Sequence, residues 1–168
     1  DVYKRQLYFH PLSFFPMQEL KDTQSEADTR NISIDRVGVK GLRFPIQIQD
    51  KLNRIQSTVA TVSLAVDLPE EFKGTHMSRF VEALHQHGPL LDVHTALAIP
   101  RELLRRLSAR RSHVEMEFPF FRSKNAPVTG IEGLMDYVVR FEMEAEANNK
   151  LADFKLTVIV PVTTLCPC

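Results

Sequence analysis

IQSTVATVSLAVDL, residues 55–68, alternates with a period of two: Ala60, Val62, Leu64, Val66 and Leu68 fall on one side, Thr61, Ser63 and Asp67 on the other. Successive side chains of a strand point to opposite faces, so this is a strand with one buried and one polar face. Just before it, NISIDRVGVKGLRFPIQIQ (31–49) reads as its hairpin partner. The two glycines, Gly38 and Gly41, mark where a β-bulge is expected. A polar turn over Gln49–Arg54 joins the two strands.

The period then changes. Met77, Phe80, Val81 and Leu84 lie on one helical stripe, with Thr75 as the expected N-cap and Gly88-Pro89 as the stop. A second helix is expected to open with Pro100 in its first turn and to turn Leu103, Leu104 and Leu107 inward. Strands return after Ser112. HVEMEFPFF (113–121) and YVVRFEMEA (137–145) alternate, and after a turn at Asn148-Asn149 so does DFKLTVIVPV (153–162). Pro119 points to an edge position or the end of regular pairing. The order is two strands, two helices, then a final hairpin with one extra strand before it. Such runs predict an α+β fold, an antiparallel sheet with both helices on one face. Val62, Leu64, Phe80, Leu84, Phe118, Phe141 and Val158 are the expected buried positions.

Bulk properties narrow the function classes. The 168 residues, 43% hydrophobic, suffice for one core. Twenty-one basic residues balance twenty-one acidic ones, so no net field favours nucleic acid or an anionic membrane, and neither is expected as a partner. Apolar runs stay short of the roughly 18 residues of a membrane span, and no signal-peptide layout opens the chain. A cytoplasmic protein is expected. The only two cysteines, Cys166 and Cys168, stand one residue apart and cannot staple a fold of this size. The first six residues, DVYKRQ, correspond to codons of a transposon end used to tag sequencing libraries. Residues 1–6 are therefore excluded as read-through, and 7–21 are left as an unassigned leader.

Few residue types suggest chemistry. A terminal Cys-x-Cys is by itself either an incidental thiol pair or part of a metal site. His76 and Arg79, in GTHMSRF at the start of the first helix, could bind a triphosphate at the helix N-terminus; a capping or packing role competes. The arginines of the second helix, among them Arg101, Arg105 and Arg106, read as a solvated outer face. His85 and His87 do not share a helix face, and neither His94 nor His113 shows metal spacing.

Five ordered blocks then align with a known family: IDRVGVKGLRFPI, QSTVATVSLAVDLP, FKGTHMSRFVEAL, APVTGIEGLMDY and VPVTTLCPC. Residues 22–168 resemble the type IB GTP cyclohydrolases. The resemblance implies the tunnelling fold, two tandem ββααββ-type modules per subunit in a homotetramer. It implies hydrolysis of GTP to formate and 7,8-dihydroneopterin triphosphate with a divalent metal, zinc, manganese or iron. It makes Cys166 the catalytic metal ligand and leaves Cys168 as either a second ligand or a supporting or structural thiol. In the family CPC continues as CPCSKE into a second module holding the remaining ligands, whereas this sequence stops at Cys168. An N-terminal module, inactive as a fragment, is therefore expected. Two rival readings remain: a tunnelling-fold interface domain without catalysis, and a related nitrile reductase, against which the GTHMSRF block argues.

Overall fold

The computed structural model describes residues 27, 29, 32–49, 54–148 and 153–162. Cys166, Cys168, the leader and the centre of the turn at Gln49–Arg54 lie outside them. Two long strands, β1 (Ile34–Gln49) and β2 (Ile55–Leu68), lead to helix α1 (Met77–Gln86), the short β3 (Leu90–Leu91) and helix α2 (Val93–Leu107). Three strands follow: β4 (Arg111–Asn125), β5 (Glu132–Glu146) and β6 (Asp153–Ile159). They form one six-stranded sheet in the order β3-β1-β2-β4-β5-β6. Every pairing is antiparallel except that of β3 with β1. The α+β class thus stands, with one short parallel strand added between the helices.

Rows of paired residues show how the alternation becomes a core. Leu42, Val62, Met116, Phe141 and Leu156 are consecutive partners across β1, β2, β4, β5 and β6, and so share one face. Phe80, Ala83 and Leu84 of α1 and Ala96, Ile99 and Leu103 of α2 join that face in a single cluster, so both helices lie on one side. Burying each large apolar side chain contributes roughly 1.5–3 kcal/mol. Of the seven expected core positions six are buried. Val158 is the exception, exposed on the edge strand β6, because the helices pack over β1, β2, β4 and β5. Met77, in the first turn of α1, is exposed for a related reason: it precedes the part of the helix that meets the sheet.

Both bulges occur. The β1–β2 register slips once between Ile34 and Val37 and again between Val39 and Leu42. Gly41 sits in the second slip with φ +72°, a left-handed conformation that glycine adopts without steric cost. Gly38 has a different reason. A Cβ there would lie 1.9 Å from the carbonyl oxygen of Leu64, so only glycine lets β1 approach β2 this closely.

The helix boundaries depart from expectation. The N-cap of α1 is His76 rather than Thr75, and no side chain caps it. Helix α2 starts two turns before Pro100, at Val93, because Asp92 accepts a hydrogen bond from the Thr95 amide at 2.7 Å while the Thr95 hydroxyl accepts one from the Asp92 amide at 2.8 Å. That reciprocal cap sets the start. Pro100 is buried inside the helix, where it cannot donate to the preceding turn. Its carbonyl accepts from the buried Ser112 hydroxyl at 2.8 Å, which ties α2 to β4.

Pro119 ends one pairing and keeps another. Backbone pairing of β2 with β4 runs only to Thr61–Glu117, while Pro119 stays paired with Val138 of β5. Beyond it, side chains take over. Thr58 donates to the Pro119 carbonyl at 3.1 Å, and the Gln56 amide bonds both the N–H and the carbonyl of Phe121, at 2.9 and 3.1 Å.

Candidate functional site

His76 and Arg79 share the first turn of α1, where the Arg79 amide donates to the His76 carbonyl at 3.2 Å. The Arg79 guanidinium reaches away from that turn and donates to the Arg106 carbonyl at 3.0 Å, at the negative C-terminal end of α2. Two arginines of α2, Arg105 and Arg106, form ion pairs. Arg105 and Arg106 both hold Glu102, at 2.6 and 2.5 Å, and Arg106 also reaches Glu82 at 2.9 Å and Gln86. Hydrogen bonds from Arg105, with Arg106 adding to them and burial opposing, hold the Glu102 carboxyl down at about 2.

The other constellation lies on the sheet face away from the helices. Gly38, Ala65, His113 and Glu144 are consecutive partners across β1, β2, β4 and β5; Ser63, Glu115, Glu142 and Lys155 form the next row. Small side chains at Gly38, Ser63 and Ala65 leave an open groove of about 440 Å³, walled by Arg36, His113 and Glu144 among others. That volume is within the range of small-molecule sites, roughly 300–1,000 Å³. Arg36 belongs to the first bulge of β1, and its side chain crosses β2 to the far wall. The Arg36 Nη2 lies 3.2 Å from His113 Nδ1 and 3.6 Å from Glu144 Oε1, and His113 Nδ1 lies 2.9 Å from the same carboxylate oxygen. Beside the groove Lys155 pairs with Glu142 at 2.7 Å. Arg140 pairs with Glu117 at 2.5 Å, which raises its pKa further.

Sequence reasoning passed over this cluster, because His113 has no partner at a recognisable sequence spacing. Its partner Glu144 is 31 residues away. Only the β4–β5 register, closed by the turn in which the Ala126 amide donates to the Ile131 carbonyl at 2.8 Å, brings the two together.

Among the described residues no three His, Cys, Asp or Glu side chains are placed to hold a metal ion. The metal implied by the family resemblance has one assigned ligand in this chain, Cys166, which is short of the three or four protein ligands of a zinc site. Among the described residues, too, no helix is long and apolar enough to cross a membrane.

A family model described as type I GTP cyclohydrolase FolE2 matches residues 20–168. The chain belongs to the FolE2 family. It is 48% identical over 149 residues to the GTP cyclohydrolase FolE2 of Fervidobacterium nodosum, covering 89% of this chain and 56% of the relative. The FolE2 of Methylobacillus flagellatus is 46% identical, again over 89% of this chain and over 55% of its own length. That of Azoarcus sp. is 44% identical, with the same two shares. This FolE2 chain thus spans about half the length of the curated relatives it matches. The expectation from the five blocks was worded as type IB; the match is to type I FolE2.

Proposed function

We propose that this FolE2-family chain forms part of a type I GTP cyclohydrolase, of the type IB kind, that hydrolyses GTP to formate and 7,8-dihydroneopterin triphosphate. The observation that carries this reading is the family match over residues 20–168, with relatives named for that activity at 44–48% identity. Chemically, water adds at C8 of guanine and the five-membered ring opens to a formamide, a second water releases C8 as formate, and the ribose carbons rearrange and close on the freed amine with loss of one water, for a net consumption of one. A divalent metal, zinc, manganese or iron, would supply hydroxide at neutral pH by lowering the pKa of bound water. Cys166 is proposed as a thiolate ligand of that metal and Cys168 as a thiol supporting it. His76 and Arg79 are proposed for the triphosphate. In favour of this, the N-terminus of α1 has no side-chain cap and no acidic residue in its first turn, which suits an anion. Against it for Arg79, the guanidinium is committed to the α2 C-terminus and would have to exchange partners. The tunnelling-fold ββααββ module, the homotetramer and the cytoplasmic location belong to the same proposal.

The test is pterin fluorescence after oxidation, with GTP and metal supplied to a protein of the relatives' length that carries this chain. Metal-dependent product is expected from the parent. Cys166→Ala should abolish it, and Cys168→Ala should lower it by about 10- to 100-fold. Full activity in the Cys166 variant overturns the assignment.

A further inference from the structure

The contacts at His113 conflict unless one protonation pattern holds. A guanidinium is donor-only and an ionised carboxylate acceptor-only, and one imidazole nitrogen is either a donor or an acceptor. Nδ1 nevertheless lies within hydrogen-bond distance of both, 3.2 Å from Arg36 Nη2 and 2.9 Å from Glu144 Oε1. If Nδ1 accepted from Arg36, its lone pair would face the carboxylate oxygen at 2.9 Å with no proton between them. If Nδ1 carries the proton, it donates to Glu144 in a charge-assisted bond, and Arg36 pairs with the same oxygen at 3.6 Å. The second arrangement is the more favourable: it satisfies the shorter, charge-assisted contact to the carboxylate and leaves only the longer donor–donor approach of Arg36 at 3.2 Å. It also determines the other nitrogen: a neutral ring protonated at Nδ1 has a lone pair at Nε2. Among the described residues both ring hydrogen-bond contacts are at Nδ1 and none is at Nε2.

We propose that Glu144 is a positioning residue that holds His113 in the Nδ1–H form, so that Nε2 serves as a hydrogen-bond acceptor in the groove on the helix-free face. The groove is then a binding site for a small ligand that presents an N–H donor. Among the other walls, the carboxylates of Glu115 and Glu142 are acceptors too, each paired on one side with a cation, while Lys40 adds a donor. Arg36 acts as a counter-charge to Glu144 and leaves Nδ1 alone while the carboxylate is present. Neither cysteine enters this proposal, and its test does not involve GTP turnover.

Nitrogen-15 shifts of the imidazole ring distinguish the two tautomers. On the full 168-residue chain at pH 8.5, His113 should show protonated Nδ1 and bare Nε2. Glu144→Ala removes the acceptor and frees Arg36 to donate to Nδ1, so the ring should switch to the Nε2–H form. Arg36→Ala should leave the parent tautomer in place, and Glu144→Asp should restore most of it. Acetamide and N,N-dimethylacetamide, at equal concentration, probe the site with and without an N–H. Acetamide should shift the Nε2 resonance of the parent and lose at least about half of that effect in Glu144→Ala, while the dimethyl compound should not shift it. An Nε2–H tautomer in the parent, an unchanged tautomer in Glu144→Ala, or equal responses to the two amides would each overturn the proposal. Far-ultraviolet circular dichroism identifies any variant that fails to fold, and Arg36→Ala then still decides whether Nδ1 accepts from Arg36 or donates to Glu144.

Discussion

In β2, Val62 and Leu64 are 0% and 1% exposed; in β6, Leu156 and Val158 on the same face of the same sheet are 53% and 48% exposed. Both strands alternate apolar and polar residues, and one paired row even connects them, from Val62 through Met116 and Phe141 to Leu156. The difference is what lies above. Helices α1 and α2 cover the sheet from β1 to β5, so burial fades along that row and β6 is left open. A periodic pattern therefore marks which face is apolar, while the covering element decides how much of it leaves water.

The severest way to break the covered region is at its closest backbone approach. Gly38→Ala should lose about 3 kcal/mol or more, at or beyond the upper end of ordinary overpacking, because the clash is with backbone that cannot swing aside. Gly133→Ala is the control in the less covered β5 end. Its added Cβ would meet the Lys124 carbonyl oxygen at an ordinary 3.6 Å, and the change should stay within about 0.5 kcal/mol. Urea denaturation of both variants measures the contrast, and comparable stabilities would mean that β1 does not approach β2 as described.

Truncation sharpens the comparison between β2 and β6 directly. Leu64→Ala should destabilise by about 2–5 kcal/mol, through lost transfer energy and a residual cavity. Leu156→Ala should cost no more than about 0.5 kcal/mol. Equal losses in denaturant melts would show that β6 is covered in solution by something beyond this chain.

A smaller effect separates the ion pairs of the two regions by pH. Glu102, on the helix layer, has its carboxyl lowered from 4.5 to about 2 by Arg105 first and Arg106 next. A depressed carboxyl contributes stability that is complete above its unfolded value and is lost as the pH falls through the folded one. The melting temperature should therefore fall between pH 4.5 and 2 more steeply in the parent than in Glu102→Gln, with the variant the less stable of the two above pH 5. Glu142→Gln, which removes the carboxylate facing Lys155 at the open β6 edge, should leave the acid limb nearly parallel to the parent's, since exposed pairs contribute little. Parallel curves for Glu102→Gln would show that its network is not maintained in solution.

The sequence by itself determined the family, the longer elements and the apolar face of each, but not the two-residue β3. Alternation in residues 55–68 and 113–121 identified β2 and β4, the stripe from Phe80 to Leu84 identified α1, and Gly41 located the second register slip of β1. These signals are local, because side-chain direction repeats every two or every 3.6 residues whatever the rest of the chain does. The start of α2 was legible too, in Asp92 and Thr95, but the general preference for proline in a first turn pointed to Pro100 instead. Continuous burial of Ala96, Ile99 and Leu103 across the proline outweighed the hydrogen bond it forgoes. What only the tertiary structure decided is the register and the cover. Alternation is indifferent to a two-residue slip, so it could not place His113 opposite Glu144, nor send Arg36 across β2 to meet them. Nor could it leave Val158 in water while burying Val62, because that depends on where two helices far away in the chain come to rest.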